Sequence, residues 1–279
     1  MRVIRLTRGI PGGCDILRPR VRNRRAARRP GSIVVRDLLN RIERLNEIGV
    51  ALSGEPDHTR LLETIVERAR ELTAADGGTL YLVHDNRTVT FEILRTASLG
   101  LALGGNTGEP IPFPALALEV DGAPNESMVV THAVLRRETV NIPDAYDACG
   151  FDFSGTRAFY RRMDYRTQSL LTVPMCDHEN SVIGVLQLIN AMDGGRVIPF
   201  EPADQRLVES LASQAAIALS NKRLLDQQRA LFEAFVRMIA EAIDEKSPYT
   251  GAHCRRVPEL TMMLAEAASG TSEGTLDDV

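Results

Sequence analysis

The chain has 279 residues, 44% of them hydrophobic, and a formal net charge of −4, which is enough for one substantial core with accessory helices. Its four cysteines (Cys14, Cys149, Cys176 and Cys254) are far apart and form no CxxC pair; a disulfide framework or structural zinc site is excluded as an expectation, and a reduced, cytoplasmic protein is favoured. No apolar run reaches the roughly 20 residues that a membrane helix needs, so no membrane partner is expected.

The charge is distributed unevenly. Residues 1–36 carry 11 Arg against one Asp, a net +10, which leaves −14 for residues 37–279. Such a head could serve as a nucleic-acid tail or mimic a transit peptide. It lacks an apolar segment, however, and Pro11-Gly12-Gly13 and Pro30-Gly31 interrupt it. The expectation is therefore a disordered leader over 1–31, or an over-extended reading frame, with no nucleic-acid partner.

Ser32 is a candidate N-cap for a helix over 32–54, in which Val35, Leu38, Ile42, Leu45, Gly49 and Leu52 follow three- and four-residue spacings. This short heptad seam suits either packing on its own domain or pairing with a second copy. Leu61, Leu62, Ile65, Val66, Ala69 and Leu72 predict a second amphipathic helix within 58–74. The period then changes. GTLYLVHD (78–85) and RTVTFEILRTA (87–97) read as a hairpin about Asp85-Asn86, and SLLTVPM (169–175) and SVIGVLQLIN (181–190) as a second hairpin about the polar turn DHEN. A short helix near 126–137 and the strand-like TVNI (139–142) lie between them. Hairpins with helices gathered before and after predict an α+β fold: an antiparallel sheet with helices on one side, flanked by an N-terminal helix and a long C-terminal helix.

That last helix opens at Pro202, with Asp204 in its first turn. Ile217, Asn221, Leu224, Gln228, Leu231, Phe235, Met238 and Ala242 continue one seam for about four heptads. A helix so long outreaches a domain about 30 Å across, and a homodimer through residues 203–245 is the expectation.

The segments GTLYLV, THAVLRRETVNIPDAY (131–146), YRTQSLLTVPM (165–175), SVIGVLQLINAMD (181–193) and PFEPADQRLVESLASQAAIAL together resemble a GAF domain, the small-molecule sensor fold of signalling proteins. The resemblance spans about 58–222 and places the sensor domain at 55–222. Nucleotide-responsive members carry an Asn-Lys, Phe, Asp-Glu signature. Asn190, Phe200 and Asp204 match it, whereas Ala191 and Gln205 replace the lysine and the glutamate. The residues themselves suggest plainer roles: Asn190 ends a strand, Phe200 enters the core and Asp204 caps a helix. The resemblance implies an unidentified small ligand between the sheet and the 144–167 loop, with Thr79, Tyr81, His132, Asp144, Tyr146, Phe151, Arg166 and Thr172 as candidate lining residues. Cys149 is a further candidate, as a reactive thiol.

Residues 231–268, LFEAFVRMIAEAIDEKSPYTGAHCRRVPELTMMLAEAA, resemble the first helices of an HD-GYP domain, a metal-dependent cyclic di-GMP phosphodiesterase. This resemblance makes His253 a metal ligand and Arg256 part of the same His-x-x-Arg-Val phrase. It also implies divalent metals held by a downstream His-Asp pair and a Gly-Tyr-Pro motif, neither of which occurs in residues 254–279. His84-Asp85 falls at a hairpin tip and is no substitute for that pair. Residues 223–268 are thus expected to be a coiled helix with the opening of an incomplete HD-GYP domain, and 269–279 a flexible tail. No catalytic residue and no resident cofactor are assigned, and His253 is read as vestigial or incomplete. The expected function is a GAF sensory module that would regulate such a phosphodiesterase. Its rivals are an active HD-GYP-type phosphohydrolase and a dimerising interaction fragment without ligand.

Overall fold

A computed structural model describes residues 46–85, 87–148, 150–155, 157, 163–246 and 253–269. The Arg-rich leader, Ser32, Cys149 and the tail from 270 onward lie outside these residues. Helix α1 is described over 46–54, where Ile48 and Leu52 are buried. Asp57 then caps α2 (His58–Thr73), its side chain accepting a hydrogen bond from the Arg60 N–H at 2.7 Å. Leu61, Leu62, Ile65, Val66 and Ala69 form the buried face of α2, as their spacing predicts. Ala74, in the left-handed region at φ 50°, ends the helix, and its N–H bonds the Arg70 carbonyl.

Strands β1 (Ala75–His84) and β2 (Thr88–Thr96) form the first antiparallel hairpin. Strand β3 (Leu101–Gly104) continues beyond β2, followed by the short strands β4 (Leu116–Ala117), β5 (Glu119–Val120) and β6 (Ala123–Pro124). Helix α3 (Val129–Arg136) and β7 (Val140–Ile142) precede the second hairpin, β8 (Leu170–Cys176) and β9 (Val182–Asp193). The turn between β8 and β9 is held by Asp177, whose Oδ1 accepts from the N–H groups of Glu179 and Ser181 at 2.9 and 2.8 Å. Strand β10 (Arg196–Ile198) folds back on the end of β9. The sheet runs β3-β2-β1-β9-β8-β7, so β1 and β9, far apart in sequence, are its centre.

Strand alternation divides the core between the two faces. Leu80, Ile93, Leu171, Val173, Met175, Leu186 and Leu188 pack with α1, α2 and the start of α4 (Pro202–Lys246). Tyr81, Val89, Val185 and Val130 lie together on the opposite face, where Leu170, Ile189 and Val129 form a second cluster. The antiparallel sheet and its flanking helices match the predicted α+β class, and α3 packs on the second face. A β-bulge interrupts β2: Leu80 pairs with Ile93 and Tyr81 with Phe91, so Glu92 is the extra residue.

Helix α4 has 45 residues, about 67 Å at the usual rise. Val208, Leu211, Ala212, Ala215, Ala216 and Leu219 are buried against the sheet. Beyond that point Leu224, Leu231, Phe235 and Met238 are all more than half exposed. Helix α5 (His253–Ser269) follows, with Pro258 inside it. No helix among the described residues is long and apolar enough to cross a membrane.

Candidate functional site

The second face of the sheet holds a cavity of about 270 Å³. Thr79 and Tyr81 of β1 and Gln187 and Ile189 of β9 form its floor. Phe91 and Leu94 from β2, Phe113 and Leu116 from the following segment, the first turn of α3 and residues 152–155 make its walls. Phe91 and Leu94 both reach the cavity because the bulge at Glu92 shifts strand parity between them. The aromatic wall is continuous, with Tyr81 and Phe91 ring centroids 4.7 Å apart and those of Phe91 and Phe113 5.1 Å apart.

Polar groups on the floor lie in one row across the sheet, since Leu94 pairs with Thr79, Thr79 with Gln187, and Gln187 with Thr172. The Gln187 Oε1 accepts from the Tyr81 hydroxyl at 3.0 Å, and its Nε2 donates to Thr172 Oγ1 at 3.0 Å. These two bonds fix which way the amide is turned. Asp152 lies exposed at the rim, accepting from the Ser154 N–H at 2.8 Å. That backbone bond, with the Ser154 side chain, holds its carboxyl below the usual range.

Of the residues proposed from sequence, Thr79 and Tyr81 line this cavity, and Thr172 sits beneath it as the fully buried partner of Gln187. The others lie elsewhere. His132 on α3 stacks edge-on against Phe151 at 5.2 Å, with Glu126 4.0 Å away. Tyr146 is contacted by the guanidinium groups of Arg157 and Arg166, 4.9 and 4.4 Å from its ring centre. Asp144 accepts from Arg166 at 3.5 Å and from the Tyr146 N–H at 2.8 Å. These contacts hold Asp144, Tyr146 and Arg166 to one another and to Arg157, and His132 to Phe151 and Glu126. Gln187, Phe91, Phe113 and Asp152 were not among the proposed residues. Gln187 had one visible signal, a lone amide inside the apolar run VIGVLQLIN.

A second polar cluster closes the end of the sheet. The Asp76 carboxylate, 8% exposed, accepts from the Ser98 N–H and hydroxyl at 2.9 and 2.7 Å and from the Tyr165 hydroxyl at 2.6 Å. Asn190 joins it, donating to Tyr165 Oη and to the Arg166 carbonyl and accepting from the Gln168 N–H. Asn190 does not end its strand. It adopts φ 56° inside β9, which continues to Asp193, because its side chain staples the 165–168 segment. Phe200 is buried in the core and Asp204 accepts from the Glu201 N–H at 3.0 Å.

A larger groove of about 740 Å³ lies where α4 leaves the sheet, lined by His58, His84, His178, Asp85 and Arg223 among others. Among the described residues, no group of three or more His, Cys, Asp or Glu is placed to hold a metal ion. The backbone at His253 opens α5, while its side chain lies outside the described part. No hydrolytic step is assigned to the described residues.

The GAF domain family model matches residues 57–219. The chain is 31% identical over 127 residues to a dual 3′,5′-cyclic-AMP and -GMP phosphodiesterase 11A of Takifugu rubripes, covering 42% of this chain and 13% of that protein. It is 23% identical over 184 residues to a cGMP-specific 3′,5′-cyclic phosphodiesterase of Drosophila erecta, covering 63% of this chain and 15% of that protein. The chain therefore spans only a small part of these relatives' lengths. Among solved structures, the GAF domain of a phosphoenolpyruvate-protein phosphotransferase from Coxiella burnetii superposes with a TM-score of 0.51 at 16% identity, covering 68% of this chain and 98% of that one.

Proposed function

The chain belongs to the GAF domain family, a family of signalling sensory modules, and from that premise we propose that a small ligand in the cavity beneath α3 controls the disposition of α4. The observation that carries this reading is the position of β9. Its residues Gln187 and Ile189 line the cavity, while the intervening Leu186 and Leu188 pack in the core that buries the start of α4. One central strand thus touches ligand space on one face and the output helix on the other, so displacement of the strand on binding is felt by both. For this to act as a switch, ligand must bind two arrangements of α4 with different affinity. A difference of about 1–3 kcal/mol, or roughly 5- to 150-fold, is the usual size.

The output is proposed to pass through a homodimer. Leu224, Leu231, Phe235 and Met238 form an apolar seam that the monomer leaves in solvent; such a seam suits pairing with the same helix of a second cytoplasmic copy. Residues 231–268 then lead toward an HD-GYP-type cyclic di-GMP phosphodiesterase module as the regulated partner, on the strength of the His253-containing phrase. Analytical ultracentrifugation tests the dimer: wild type is expected to sediment as a dimer and Leu231→Glu/Phe235→Glu as a folded monomer. Disulfide crosslinking between copies from single cysteines at Asn221 and Gln228 tests the switch. Crosslinking rates unchanged by a bound ligand would refute it.

A further inference from the structure

We infer that the cavity, if it serves the sensory role just proposed, is built for an uncharged flat heterocycle with a lactam or amide edge and selects against a phosphate-bearing nucleotide. The floor supplies the first reason. Thr79 is only 9% exposed and lines the cavity, yet its hydroxyl has no hydrogen-bond partner among the described residues. Opening onto the cavity, that hydroxyl can donate to or accept from a guest.

Directly across the strand pair from Thr79 stands Gln187. Its amide is already oriented by Tyr81 on the oxygen side and Thr172 on the nitrogen side. One N–H and one lone pair of that amide remain to be used. The floor therefore offers a donor and an acceptor side by side, plus the Thr79 hydroxyl, which can act as either. A cyclic amide presents the complementary pair on one edge. The rest of the ring would meet Phe91, Phe113, Leu94 and Ile189, an apolar and partly aromatic wall.

Charge and size supply the second reason. Among the described residues, no Lys, Arg or His lines the cavity, and the one charged lining residue is Asp152. The first turn of α3 contributes the positive end of a short helix dipole, roughly half a charge, and the Asp152 carboxylate outweighs it. A phosphate would lose its hydration here without gaining a counter-cation from the described lining. At about 270 Å³ the cavity also falls just under the roughly 300–1,000 Å³ common for ligand sites, which suits one ring system and leaves a cyclic dinucleotide no room.

Titration calorimetry and thermal unfolding of the full 279-residue chain test this with hypoxanthine and uracil as uncharged lactams. Cyclic inosine 3′,5′-monophosphate serves as the same ring bearing phosphate. At least one lactam is expected to bind and raise the unfolding temperature, with the cyclic phosphate at least about tenfold weaker than hypoxanthine. Thr79→Val and Gln187→Leu should each weaken lactam binding about tenfold, Thr79→Ser should retain it, and Asp152→Asn, at an exposed site, should narrow the gap to the phosphate analogue. Tighter binding of the cyclic phosphate, or no binding of either lactam, overturns the inference and leaves the sensory reading standing. Lactam binding in the expected pattern with unchanged α4 crosslinking overturns the sensory reading and supports this one.

Discussion

Replacing Asp76 by alanine probes how the sheet end and the 165–168 segment are held together. The carboxylate has no cation within an ion-pair distance among the described residues and is satisfied by one N–H and two hydroxyls at 2.6–2.9 Å. Each hydrogen bond to a charged group contributes about 1.5–3 kcal/mol. Removing the buried carboxylate also relieves its desolvation, so the net loss should be about 2–4 kcal/mol, near the upper end for single substitutions. For a domain of this size that corresponds to about 5–15 °C in unfolding temperature. The assay is urea and thermal unfolding of Asp76→Ala, Tyr165→Phe and the double variant. Because Tyr165 donates to Asp76 and accepts from Asn190, the double variant should be less destabilised than the sum by about 1 kcal/mol. An Asp76→Ala protein that unfolds within about 1 °C of wild type, or strict additivity, would refute the coupling.

Arg95 and Cys176 supply further outcomes. Arg95, with an 11% exposed side chain, pairs with Glu63 at 2.9 Å and donates to the Leu103 carbonyl at 2.6 Å. Arg95→Met should cost about 3 kcal/mol in denaturant unfolding, and Arg95→Lys should recover little of it, because a single ammonium does not span both acceptors. Burial pushes the Cys176 thiol up from its ordinary value, with Arg137 opposing. Its alkylation at pH 8, followed by peptide mass spectrometry, is expected to be slower than that of a free cysteine thiol and to accelerate on unfolding. The thiol ionises more readily in the unfolded chain, so stability should decline as pH rises above the unfolded thiol range, about 8.5. A Cys176→Ser variant should lack this decline.

Much of the architecture was legible along the chain. The apolar spacing and Asp57 cap of α2, the two hairpins and the start of α4 at Pro202 all arise from interactions within a few residues. Local pattern carries such elements because their hydrogen bonds and caps close over short sequence distances. The cavity was less legible. Thr79 and Tyr81, named with the others as what the resemblance implies, line it, whereas His132, Asp144, Tyr146 and Arg166 are not among its lining residues. In the fold their partners are Glu126, Phe151, Arg157 and one another.

The sequence by itself determined that β1 with β2 and β8 with β9 form hairpins and that α4 carries an apolar seam past the domain. Tertiary structure alone decided which alternate residues meet. The bulge at Glu92 turns both Phe91 and Leu94 toward the cavity, and the register of β1 on β9 on β8 sets Thr79, Gln187 and Thr172 in one row. Residues 79 and 187 are neighbours only through pairing between central strands distant in the chain. A period of two states that a side chain faces one side or the other; it carries no information about the partner strand or its offset.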